Sequence, residues 1–181
     1  MKATVSALLV LAAVLVQTVV INRLPLPWGV APDVVLLAVV AIALWSTPAA
    51  GAVTGFAAGL AVDVLPPADH EVGRTALLLC LAGYLVARIH DSSARSGLGP
   101  YLAAAATALA VPAGFLLIAV VLGDPRAALP DALWQVLIGA ALTVLLSPLV
   151  LGPVTPLMRR VTFDPYADLP TPWISAKGRA R

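Results

Sequence analysis

The stretch "GAVTGFAAGLAVDVLPP", Gly51 to Pro67, carries one charged residue, Asp63, close to where the apolar run ends in two prolines. Gly51, Gly55, Gly59 and Asp63 are spaced by four. On an α-helix each step of four advances about 40°, so the four residues form one slowly winding ridge. Small residues at this spacing let a second helix approach closely, which is how helices associate in lipid. The second helix is either another element of this chain or a partner's. Asp63, at the end of the ridge, is either a structural tie, a partner contact or part of a transport path.

Composition sets the frame for that choice. Of 181 residues, 61% are hydrophobic and 11% charged, and the mean hydropathy is +0.99. Soluble domains carry roughly a quarter charged residues, so the chain belongs in a membrane. A net charge of +2 with dispersed lysines and arginines is not a nucleic-acid footprint. The single cysteine, Cys80, can make no intrachain disulfide and reads as packing.

Transmembrane helices need about 20 mainly apolar residues. Six blocks approach this: Ala3–Ile21, Ala31–Trp45, Pro48–Leu65, Gly73–Ile89, Gly99–Leu122 and Asp131–Leu157. The first has no small-x-small cleavage site close behind it and reads as a retained helix rather than a signal. The second is the shortest. It either spans or is a re-entrant or tilted segment buried in protein, leaving five spans. Pro32-Asp33 suits a helix start, and Ser46-Thr47-Pro48 is a cap that joins the second and third blocks by a tight turn. Pro112 and Pro148 fall inside helices, where they kink the axis and leave carbonyls for neighbours to satisfy. The expected architecture is an all-α bundle of six transmembrane helices over residues 1–158. A polar, largely disordered tail over 159–181 completes it.

With six spans both termini share one side. Lys2, Arg88, Arg95, Arg159, Arg160 and the tail cations then oppose Arg23, Arg74 and Arg126, which places both termini in the cytoplasm. Trp28, Trp45 and Trp134 fall at block ends, where an aromatic belt sits.

Catalytic and metal chemistry find no foothold. His70 and His90 lie on opposite expected sides, and no nucleophile elbow, HExxH, P-loop or GxGxxG occurs. No cofactor is called for. A proton relay needs further acids or histidines at depth, whereas the other charges lie at or outside block ends. Asp63 therefore reads as fixing helix-to-loop geometry, with Arg74 or backbone amides of residues 66–73 as its donors. Asp33 and Arg23 form a second candidate tie, or a merely exposed pair worth about 0–1 kcal/mol.

"PDVVLLAVVAIALW" followed by "GAVTGFAAGLAVDVLPPADHEVGRTALLLCLAGYLVARI" resembles the rod-shape-determining MreD family. The resemblance rests on Pro32, Asp33, Gly55, Phe56, Gly59, Leu60, Asp63 and Gly73, about a third of the chain. It implies a bacterial inner-membrane component of the cell-elongation machinery without catalytic activity. Such a scaffold binds MreC, a single-span protein with a periplasmic domain. It acts beside the MreB filament system, the RodA glycosyltransferase and a class B penicillin-binding protein. The family is also similar to the substrate-binding subunits of energy-coupling-factor transporters, so a small-molecule transport subunit is the alternative. The expected partner contact is the Gly51–Gly55–Gly59 ridge with Phe56, with Asp33, Asp63 and Arg74 organising the outer ends.

Overall fold

A computed structural model describes residues 2–25, 29–65, 73–93, 98–123 and 129–162. His70, Trp28, Arg95, Arg126 and the tail from residue 163, all used in the sequence reading, lie outside these, as does the side chain of His90. Six α-helices and one short 3-10 turn occur among the described residues: α1 (Lys2–Val19), the turn Ile21–Arg23, α2 (Val34–Ala43), α3 (Pro48–Val64), α4 (Arg74–Ser93), α5 (Gly99–Val121) and α6 (Leu129–Thr162).

The shortest helix lies at the centre. All ten residues of α2, "VVLLAVVAIA", are buried, and α2 packs against each of the other five helices. A helix apolar all round belongs inside a bundle, because it has no polar face to offer. Five of its ten residues are valine or isoleucine, poor helix formers in isolation, so packing rather than propensity holds it. At about 15 Å it covers half of the roughly 30 Å hydrocarbon core. The second apolar block is therefore a short buried helix, the reading that the sequence left beside a full span.

α3 and α4 form the most extensive pair in the bundle, and their backbones touch. A Cβ built on Gly55 would stand 2.0 Å from the Leu79 carbonyl oxygen, and one on Gly51 would stand 2.5 Å from that of Gly83. On Gly59 it would meet the Ala76 Cα at 2.5 Å, and on Gly83 the Gly51 oxygen at 2.3 Å. The ridge of small residues does receive a helix, and that helix is α4 of the same chain. A partner's helix cannot reach these three glycines, so the expected intermolecular contact has no place on the ridge.

The exterior is greasy. Leu8, Val53, Phe56, Leu77, Leu145 and Leu149 are all about half exposed or more, as lipid-facing side chains must be. Among the described residues three segments are long and apolar enough to cross a membrane: Lys2–Arg23, Gly99–Val121 and Pro130–Thr162. The chain is an all-α membrane protein.

α6 is 34 residues long and holds Pro148, Pro153 and Pro156. Pro148 has no amide hydrogen for the carbonyl four residues earlier, Val144. The Ser147 hydroxyl donates to that oxygen at 2.7 Å instead. The helix continues through Arg159 and Arg160 to Thr162, past the expected end at residue 158, and two cations suit a helix C-terminus. Ser6 Oγ lies 3.9 Å from Met158 Sδ, so the start of α1 and the end of α6 share one end of the bundle.

Close backbone contact makes a sharp test. Gly55→Ala should lower the unfolding free energy in mild detergent by about 1–3 kcal/mol or more, the cost of overpacking. Gly152→Ala, whose added Cβ meets nothing within 4 Å, should stay within about 0.5 kcal/mol of the parent. Equal effects at the two positions would contradict the α3–α4 contact.

Candidate functional site

Polar side chains in the described bundle converge on the ends of α2 and the start of α4, beginning with the α2 N-terminus. Its first amides have no intrahelical acceptor and no water to turn to. Three elements supply acceptors. Asp33, the N-cap, accepts from Leu36 N–H through Oδ1 at 2.7 Å. Gln17 of α1 accepts from Val34 N–H through Oε1 at 2.8 Å. Thr143 of α6 accepts from Asp33 N–H through Oγ1 at 3.0 Å. The Gln17 amide also donates to the Pro32 carbonyl at 3.1 Å and to Asn22 Oδ1 at 2.9 Å. The tie expected between Asp33 and Arg23 is replaced by this cap, and Arg23 is exposed.

The opposite end of α2 is closed by cation and hydroxyl. Lys2 Nζ donates to the Trp45 carbonyl, and Ser46 Oγ donates to that of Ile42 at 2.8 Å. A positive charge at a helix C-terminus is favourably placed. Thr47, with Oγ1 3.4 Å from Ala50 N–H, caps α3 immediately afterwards.

Asp63 makes a second cap, for a different helix. It is 1% exposed, and its Oδ2 accepts from Gly73 N–H at 2.8 Å and Ala76 N–H at 3.1 Å. These amides open α4. A carboxylate badly placed at its own helix's C-terminus is well placed at the N-terminus of the next. Gly73, at φ +105°, adopts a backbone conformation that side chains disfavour, which turns its amide toward Asp63. Of the two donor sets expected for Asp63, backbone amides at the start of α4 are in place; Arg74 is half-buried as the first residue of that helix. Asp33 and Asp63 thus organise helix starts, each at its own.

Phe56 is 49% exposed and turned away from the glycine ridge. Cys80 is half-buried on α4. Among the described residues no three histidine, cysteine, aspartate or glutamate side chains gather as metal ligands.

Two concavities flank the core. One, of about 490 Å³, lies beside the α2 N-terminus among α2, α5 and α6, and its lining includes Asp33, Gln135, Pro112 and Phe115. The other, of about 940 Å³, is a groove between α1 and α3 lined by Ala7, Val10, Ala50, Val53 and Ala57.

Gln17, Thr143 and Lys2 escaped the sequence reading as contributors. Gln17 is a lone amide in an apolar run and signals an internal hydrogen bond. Its acceptor and donor only become identifiable once α1 lies antiparallel to α2.

Removing a buried acceptor leaves an amide unsatisfied at about 1–3 kcal/mol. Gln17→Leu and Thr143→Val should each lose that much unfolding free energy in detergent, and Arg23→Ala should lose less than about 0.5 kcal/mol. A cost at Arg23 equal to the others would restore the ion pair in place of the cap. Asp63→Ala should cost about 1–3 kcal/mol, while Asp63→Asn, which keeps an acceptor, should cost less. Proteolysis of the segment after Pro67 should accelerate in the alanine variant; an unchanged rate and stability would refute the cap on α4.

A family model described as rod shape-determining protein MreD matches residues 1–158. No curated protein and no solved structure matches the chain. The match covers all six helices except the end of α6, including the Asp33 and Asp63 caps and the glycine seam between α3 and α4. This polypeptide belongs to the MreD family of rod shape-determining membrane proteins.

Proposed function

We propose that the chain is a non-enzymatic inner-membrane scaffold of the bacterial cell-elongation machinery. It binds an MreC-like bitopic protein and so helps to regulate peptidoglycan synthesis and rod shape. RodA-type glycosyltransferase, a class B penicillin-binding protein and the MreB filaments are the neighbours that family membership suggests. Both ends of the bundle's chain face the cytoplasm in this reading. Lys2, Arg88, Arg159 and Arg160 fall at the end where Lys2 meets Trp45 and Ser6 meets Met158, against Arg23 and Arg74 at the other, in keeping with the positive-inside rule.

The observation that carries the partner-binding half is the groove between α1 and α3. Since α4 occupies the glycine ridge, a partner's helix needs another low wall. Ala7, Ala50 and Ala57 supply one, flanked by Leu11 at 55% and Val53 at 69% exposure. Small residues at a membrane helix contact let backbones approach, and van der Waals contact then supplies the attraction. An amphipathic or charged helix would be rejected, because the groove offers a charge only at its Lys2 end, beside Ser6, Ser46 and Thr47, and the remaining hydroxyl, Thr54, is spent on the Ala50 carbonyl. Asp33, Gln17, Asp63 and Thr143 are engaged in capping, which supports adhesion over chemistry as the role.

Filling the groove tests this. Ala50→Trp and Ala57→Trp in the full-length protein should reduce copurification of a coexpressed MreC-like partner at least tenfold and round the cells. Leu145→Trp, on the exposed face of α6, should leave both unchanged. Retention of the partner by both groove variants would move the interface elsewhere, and absence of any bitopic partner from the parent protein would overturn the scaffold itself.

A further inference from the structure

The groove between α1 and α3 lies on the flank of the bundle, where exposed Leu11 and Val53 meet hydrocarbon. In a bilayer an apolar groove of about 940 Å³ fills with acyl chains whenever no helix stands in it, because water does not compete for such a wall. Its α1 side runs from Lys2 to Leu15, about 20 Å at 1.5 Å per residue. Half of the hydrocarbon core is about 15 Å. One lipid from the leaflet on the Lys2 side therefore fits along the groove with its headgroup at the Lys2 end.

The charge at that end selects the headgroup. Among the described residues that line the groove, Lys2 is the one charged side chain and none is an aspartate or glutamate. Its bond to the Trp45 carbonyl holds the ammonium beside the turn from α2 into α3 and leaves two of its three N–H groups for a ligand. Two further donors stand at this turn. Thr47 uses its hydroxyl oxygen to accept from Ala50 N–H, so the hydroxyl hydrogen remains to be given. Ala49 N–H belongs to the first turn of α3, where no intrahelical acceptor reaches it. The α3 N-terminus also adds positive potential to that of Lys2. The Ser6 and Ser46 hydroxyls donate elsewhere, to Met158 Sδ and the Ile42 carbonyl.

We propose that the partner-free protein holds one anionic phospholipid in this groove. Its phosphate lies against Lys2, Thr47 and Ala49, and an acyl chain runs along Ala7, Val10 and Ala57. A phosphate accepts from all three donors and carries the charge opposite to Lys2. A zwitterionic choline headgroup brings its own cation, which Lys2 repels and for which the lining offers no acid. A partner's helix entering the groove displaces this lipid, so anionic lipid regulates docking by competition. That last step alone rests on the scaffold reading.

Native mass spectrometry of the full-length protein reads the retained lipid. The protein is released from nanodiscs holding equal amounts of palmitoyl-oleoyl phosphatidylglycerol and phosphatidylcholine. The parent should retain one lipid, with phosphatidylglycerol favoured about fivefold, the strength expected of one lysine at a membrane surface. Lys2→Gln, which keeps a donor for the Trp45 carbonyl, should bring the two lipids level, and Lys2→Arg should restore the preference. Ala50→Trp fills the groove and should abolish retention of either lipid. Arg159→Gln removes an exposed cation of α6 outside the lining and should leave the preference as in the parent. Equal retention of both lipids by the parent, a preference that survives Lys2→Gln, one lost equally in Arg159→Gln, or a lipid still held by Ala50→Trp would each overturn the site. These measurements use the protein without a partner, so their failure leaves the scaffold reading intact. The complex copurified with a coexpressed MreC-like partner should lack the retained lipid; a complex that keeps it would overturn the competition.

Discussion

A short helix buried in a membrane protein has orphan amides at one end, orphan carbonyls at the other, and no water for either. α2 is that helix here, and the arrangement around it answers this constraint. Gln17 reaches in from α1, Thr143 from α6, and Asp33 turns back from the chain just before it. Lys2 and Ser46 close the far end. Because the capping groups come from helices distant in sequence, satisfying α2 also fixes how α1 and α6 stand against it. Leaving any one buried amide unpaired costs about as much as a substantial part of a protein's net stability.

Much of this was legible in the residues. The tally of apolar blocks, the Asp33 and Thr47 helix starts and the internal prolines follow from local chemistry, and local chemistry is what a sequence displays. The glycine ridge was legible as a docking surface, but whether α4 or a foreign helix fills it depends on which small residues lie opposite. Gly83 and Ala76 supply the match, and no local pattern marks them as its complement. The second block stayed open between two readings for another reason: hydropathy records that "VVLLAVVAIA" avoids water but does not distinguish lipid from protein as its surroundings. Ten residues of helix resolve that only when its neighbours are in view. Asp63 shows both limits together. Its position predicted a geometric tie, while the amides it accepts from belong to a helix start ten or more residues further on.

The division of labour that results suits a protein of the MreD family. Charged side chains are drawn to helix ends, Thr143 reaches one such end from the middle of α6, and most of the flanks are left to aliphatic residues that meet lipid or another helix. Between α1 and α3 these flanks part and become small, and this is the surface to which the proposed adhesion is assigned. Pro112 departs from this economy of bonding: unlike Pro148, which follows Ser147, it follows Val111, so no hydroxyl in that place stands in for its missing amide.

The account as a whole requires α2 to be enclosed by protein on every side. Photolabelling with a lipid-soluble diazirine in native-like bilayers, read by peptide mass spectrometry, measures this directly. The expected result is carbene insertion on α1, α5 and α6, with residues 34–43 unlabelled until the protein is denatured. Labelling of residues 34–43 in the folded protein to the extent seen on α5 would place α2 at the lipid boundary and contradict the account.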